Sequence, residues 1–173
     1  LYCFDPRARG ARAIGCFQEG AEKFGYILVG LNNSRNGPWE ANRSAIEAVL
    51  RDTHSRFSIN RARLYTAGMS GGARVATRLG LAGLTAGVVA CSGGFPTQET
   101  PPKLPFVFFG TAGIDDCNYD EMRRIDDDLD RASAAHRLEI FNGGHEWVPV
   151  TLGTRAMEWV ELQAMRRGVR PRD

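Results

Sequence analysis

The sequence predicts an α/β fold: a mostly parallel sheet of about six strands with helices on both faces. Short apolar runs alternate with stretches of helical periodicity along the whole chain. That alternation marks βαβ units, whose right-handed crossovers place helices on both sides of a sheet. The length, 173 residues at 43% hydrophobic content, suits one core. Residues 1–173 therefore read as one domain, without internal repeat or linker. The Pro-rich stretch 96–105 is too short to separate two domains.

Residues 1–4 form an apolar run stopped by Asp5-Pro6. Ile14, Phe17, Ala21 and Phe24 then share one helical face, closed by Gly25. A strand is expected at 26–31, followed by the turn-forming run Asn32-Asn33-Ser34-Arg35-Asn36-Gly37-Pro38. Ile46, Val49, Leu50, Thr53 and Phe57 make the next helical stripe. Strands are expected at 63–67, 87–91, 106–109 and 138–141. Helices are expected after Ser70, over 119–135, where Met122, Ile125, Leu129 and Ala132 align, and over about 150–167.

The formal charge is +2, which offers no electrostatic case for nucleic acid as a partner. Arg outnumbers Lys 20 to 2, which reads as compositional bias. No apolar run reaches the roughly 18 residues of a membrane span. The first residue is Leu1, and residues 1–30 lack a signal peptide's ordered parts. The chain reads as a processed product or a piece of a longer one. It is expected to be soluble, either cytoplasmic or secreted after loss of an upstream segment. Cys3, Cys16, Cys91 and Cys117 are scattered without a CxxC pair, which argues against a structural zinc. Free thiols and one or two disulfides both fit that spacing. No metal or organic cofactor is expected.

Gly68-Met69-Ser70-Gly71-Gly72 is a GxSxG sequence between a predicted strand and a predicted helix. That setting builds a sharp turn that lifts a serine hydroxyl above a sheet as a nucleophile. The following helix N-terminus favours negative charge there, and the Gly71 N–H would face an oxyanion. A serine nucleophile needs a base, and His145 lies in the Gly-rich loop after the last strand. His54 and His136 read as surface or capping residues. The base in turn needs a carboxylate, expected between serine and histidine in chain order. The loop after the fifth strand offers Asp115 and Asp116, which the residues alone do not separate. Asp126-Asp127-Asp128 and Asp130 lie mid-helix beside arginines and read as a solvated face.

With its elbow Gly68–Gly72 and its Gly143-Gly144-His145-Glu146-Trp147 stretch, the whole chain resembles the α/β-hydrolases of the bacterial carboxylesterase, depolymerase and dienelactone-hydrolase-like groups. The resemblance implies a Ser70–His145–Asp116 triad, since Asp116-Cys117-Asn118-Tyr119 before a Met-containing helix is similar to the family's acid loop. It also implies that residues 4–10 replace the loop supplying a second oxyanion N–H. Pro6 has none to give, so Arg7 is the expected donor beside Gly71. By the same alignment the family's first two strands are absent. Residues 1–4 then form a bare sheet edge, and a homodimer through that edge is expected.

These features imply a serine hydrolase of carboxylic esters working through an acyl-enzyme. The stretch 92–105 is too short for a large cap domain, so an open site for short-chain or polymer-linked esters is expected. Trp147, Asn33 and Trp39 are the chosen substrate-binding residues, with Arg35, Phe95 and Cys117 as further wall candidates. An acyltransferase or peptidase using the same triad, and a non-catalytic binding protein on the same fold, are the competing readings.

Overall fold

The computed structural model describes residues 1–97 and 99–169. Six parallel strands form one sheet: β1 (Tyr2–Phe4), β2 (Val29–Leu31), β3 (Tyr65–Met69), β4 (Gly87–Cys91), β5 (Val107–Gly113) and β6 (His136–Phe141). Their spatial order is β2-β1-β3-β4-β5-β6. The helices are α1 (Gly10–Gly15), α2 (Gln18–Phe24), α3 (Trp39–Arg56), α4 (Gly71–Leu81), α5 (Tyr119–Arg131) and α6 (Val150–Arg166).

The strand residues alternate between two apolar layers, as a pleated sheet buried on both faces requires. Cys3, Ala67, Val89, Cys91 and Phe109 face a layer shared with Phe17, Ala21, Leu152 and Met157 of the α1–α2 and α6 side. Tyr2, Phe4, Val88, Ala90 and Phe108 face the layer holding Ile46 of α3, Ala73 and Leu79 of α4, and Met122 and Ile125 of α5.

Several expectations change, and one left open is decided. The single helix read over 14–24 is two, broken at Cys16-Phe17, because the Cys16 carbonyl packs onto Gly153 of α6. A Cβ on Gly153 would lie 2.0 Å from that oxygen. β5 runs on to Gly113 through Gly110-Thr111-Ala112, which reads as loop by composition. Those small residues pair with Leu138–Phe141, and the ladder supplies what propensity does not. The bare edge expected at residues 1–4 does not exist: β1 lies between β2 and β3, and β2 is the edge. With both of its sides paired, β1 offers no free edge for the expected homodimer. The four cysteines are free thiols, three buried and Cys117 exposed. Burial pushes the Cys3 and Cys91 thiols up to about 12.

At the N-terminal end of the sheet, Glu161 of α6 is buried at 1% exposure. It accepts hydrogen bonds from Arg63 Nη2 at 2.8 Å and from the Tyr26 hydroxyl. The Arg63 guanidinium also lies 4.8 Å from the Tyr26 ring centroid. Removing one partner of a buried ion pair leaves the other charge uncompensated. Glu161→Ala is therefore expected to cost about 3–5 kcal/mol in chemical denaturation. A loss below about 1 kcal/mol would mean that water replaces the pair at little cost.

Candidate active site

The site is built where the strands end. β3 delivers the chain to Ser70, whose backbone takes φ 54 and ψ −120. A non-glycine residue rarely occupies that left-handed region, and doing so costs of order 1–3 kcal/mol. Neighbouring hydrogen bonds hold it there. The Ser70 N–H donates to the Cys91 carbonyl at 2.8 Å, and the Ser70 carbonyl accepts from Ala73 N–H at 3.0 Å. The result lifts the hydroxyl above the sheet and opens α4 directly behind it.

His145 sits on the loop after β6. Its Nε2 lies 2.9 Å from Ser70 Oγ, and its Nδ1 lies 2.8 Å from Asp116 Oδ1. The Asp116 side chain is buried, and Oδ1 also accepts the Asn118 N–H at 2.8 Å. Burial pushes its carboxyl upward. Hydrogen bonds from the Ser92 hydroxyl, the Asn118 N–H and His145 outweigh that push and hold it below its ordinary value. The Ser92 hydroxyl has two acceptors within reach, the other being the Glu146 carbonyl at 3.2 Å. While it turns there, Asp116 Oδ2 is left unpartnered. An ionised Asp116 accepts only, so the proton sits on His145 Nδ1, and Nε2 is free to accept from Ser70. Asp115 is exposed; its backbone N–H bonds the Gly143 carbonyl at 3.0 Å.

No family model matches the sequence, and no curated protein matches it either. Solved structures do. A carboxylesterase from Bacillus cereus superposes with a TM-score of 0.70 at 16% identity, over 94% of this chain and 87% of that one. S-formylglutathione hydrolase from Staphylococcus aureus gives 0.70 at 16% identity, over 92% of this chain and 79% of that one. Esterase PE8 gives 0.70 at 17% identity, over 94% and 90%. The chain has the α/β-hydrolase fold.

Within that fold, three expected site residues lie elsewhere than the sequence suggested. The Arg7 N–H is not free for an oxyanion, because it donates to Asp5 Oδ1 at 2.8 Å. Trp147 is buried at 5% exposure, its indole N–H donating to Asp5 Oδ2 at 2.8 Å, so it faces the core and not a substrate. Asn33 lines a neighbouring hollow with Asn32 and Ala8, which adjoins the Ser70 cleft along Arg35–Gly37 and Asn42 but does not itself include Ser70. Phe95 is also interior, stacked on Phe108. Trp39 and Arg35 do line the cleft that contains Ser70 and Gly71. The Gly71 N–H, at the first position of α4, takes no partner among the described residues. A further hollow beside Leu1, Tyr26 and Arg63 lies at the opposite end of the strands, away from the edge where ligands of open α/β sheets bind.

Asp5 is the site residue that sequence reasoning missed. Its carboxylate has no exposed surface and accepts from Arg7 N–H, Arg9 N–H, Arg9 Nε and Nη2, and Trp147 Nε1. It thus ties the loop after β1 to the loop carrying His145. Nothing in the sequence distinguishes it from any turn aspartate before a proline. Of metal-binding residue types, Asp116, Cys117 and His145 offer ligand atoms within 4.8 Å of one another, but two of the three are engaged in the chain to Ser70.

Two predictions concern this scaffold. A Cβ on Gly68 would lie 2.1 Å from the Gly72 carbonyl oxygen, and one on Gly72 would lie 2.0 Å from that of Phe4. At Gly71 it would meet only the exposed Asn36 side chain, which can turn away. Gly68→Ala and Gly72→Ala are expected to destabilise by about 1–3 kcal/mol or more, and Gly71→Ala by far less. Equal midpoints for all three in thermal melts would contradict this.

The second concerns pH. Burial pushes the Asp5 carboxyl up, but its bonds from Arg9, Trp147 and Arg7 prevail and hold it below 3.8. A depressed carboxyl contributes stability that is complete above its unfolded value and lost as pH falls through its folded one. Asp5 and Asp116 both act in this sense, so urea midpoints should hold from pH 6 down to about 4 and fall below that. Asp5→Asn should flatten the fall; an equally steep one would show that Asp5 contributes nothing to it.

Proposed function

We propose that this chain is a serine hydrolase of carboxylic esters, with Ser70 as nucleophile, His145 as base and Asp116 as the group that orients it. The observation that carries the reading is the unbroken line from Asp116 Oδ1 through His145 to Ser70 Oγ, at 2.8 and 2.9 Å. Both contacts fall within the range a general base needs. The three side chains come from three separate strand ends, an arrangement that a binding protein has no need of.

Ser70 Oγ attacks the ester carbonyl carbon as its proton passes to His145 Nε2. The carbonyl oxygen becomes an oxyanion facing the Gly71 N–H at the start of α4. Such a donor is worth roughly 3 kcal/mol in the transition state. His145 then gives the proton to the departing alcohol, and the acyl group stays on Ser70. Water, deprotonated by the same Nε2, releases the acid. Asp116, kept ionised by its partners, stabilises the imidazolium in both halves.

Residues 92–106 carry no helix among the described ones, so no cap covers the nucleophile. That openness favours short-chain or polymer-linked esters over long lipids needing a tunnel. The likeness to an esterase and to a carboxylesterase supports the same class.

A fluorophosphonate probe should label the protein, and Ser70→Ala should abolish labelling. Persistent labelling of that variant would overturn the nucleophile assignment. Asp116→Asn should lower kcat by roughly 10⁴-fold through the wrong histidine tautomer, while Asp115→Asn should change it less than about threefold. Comparable losses at both positions would remove Asp116 from its role. Product analysis with an alcohol acceptor distinguishes hydrolysis from acyl transfer.

A further inference from the structure

The cleft that opens beside Ser70 has a volume of about 420 Å³. Arg35, Trp39, Arg74 and Arg78 line it together with Asn36, and no carboxylate is among its lining residues. Arg74 is neutralised by Glu121, with Nη1–Oε1 at 2.9 Å and Nη2–Oε2 at 2.7 Å. Arg35 and Arg78 meet no carboxylate among the described residues. The backbones of Arg7 and Arg35 form an antiparallel bridge, which brings a further arginine next to Arg35 in the fold.

This excess is local. The chain's formal charge is only +2, with 20 acidic residues. On α5, Asp126 pairs with Arg123, and Asp128 with Arg124 and Arg131. Arg78 is also held in place: its guanidinium carbon lies 4.4 Å from the centroid of the half-buried Trp39 ring. One guanidinium face rests on the indole, and the N–H fork along the edge remains for a planar, bidentate partner.

We propose that this cleft is an anion subsite, and that the ester hydrolysed at Ser70 carries a carboxylate on the portion lying in it. The inference rests on the ester-hydrolase reading and adds its substrate class. Arg78 follows Ser70 by eight residues, about 12 Å along α4, and helical side chains lean back toward the N-terminus. The carboxylate must therefore stand several bonds from the scissile carbonyl. The open, positive cleft also draws such esters in from solution.

The test compares matched substrates. For a charge on the acyl side, mono-4-nitrophenyl suberate is set against 4-nitrophenyl octanoate. For a charge on the alcohol side, 4-acetoxybenzoate is set against phenyl acetate. At low ionic strength, the carboxylate-bearing member of at least one pair should show a kcat/KM at least tenfold higher. The arm that responds identifies the side that occupies the cleft. In R35Q/R78Q that ratio should fall toward one, and R78K should retain part of it. Turnover with no charge preference in either pair overturns the subsite and leaves the esterase reading standing. A preference undiminished in R35Q/R78Q, checked as folded by circular dichroism, also overturns it. No turnover of any of the four esters by the unaltered protein overturns both.

Discussion

The site depends on one strained residue. Ser70 holds a left-handed backbone at φ 54, and only the packing around it makes that conformation tolerable. β4 takes its N–H, the first turn of α4 takes its carbonyl, and glycines on either side let strand and helix close to distances that no Cβ would permit. The strain serves placement. Any relaxed backbone at this position would lay the hydroxyl along the strand or the helix, out of reach of His145.

A second constraint joins the loops that must agree on a common geometry. The Asp5 carboxylate, fully enclosed, gathers donors from its own loop and from the indole of Trp147, two residues beyond His145. A buried charge is tolerable only when paired and hydrogen-bonded, and Asp5 meets that condition through the Arg9 guanidinium and three further N–H donors, those of the Arg7 and Arg9 backbone and the Trp147 indole. The histidine loop is therefore anchored on two sides. One is Asp5 through Trp147; the other is the β5 loop, through the Ile114 and Asp115 N–H groups donating to Phe141 and Gly143. His145 itself stays a third exposed, open to the solvent side of Ser70.

Electrostatics then divides the strand-end surface. Three carboxylates around Ser70 and His145 are committed: Asp5 to Arg9 and Trp147, Asp116 to His145, Glu121 to Arg74. Of the arginines lining the open cleft, Arg74 has such a partner, while Arg35 and Arg78 meet no carboxylate among the described residues. The same residue type thus has two fates within one cleft, carboxylate pairing for Arg74 and solvent-facing availability for Arg35 and Arg78. The helix and loop that present each one decide between them.

The sequence by itself determined the fold class and the positions of the groups that meet. Alternating apolar runs and helical stripes are local properties, and in a parallel sheet buried on both faces they map directly onto strands and helices. Ser70 and His145 were legible because a turn of that sharpness needs its glycines, and because strand ends converge on one edge. Tertiary structure decided everything that turns on which way a side chain points across the chain. Asp116, and not Asp115, meets His145 because the Gly113–Asp116 turn directs one carboxylate inward and leaves its neighbour in solvent. Trp147 is claimed by Asp5 across 142 positions of sequence, a pairing that no periodicity encodes. The place of β1 inside the sheet came from its ladders to both β2 and β3. Hydrogen-bond partners distant in sequence carry no local signature, so only the folded chain reveals them.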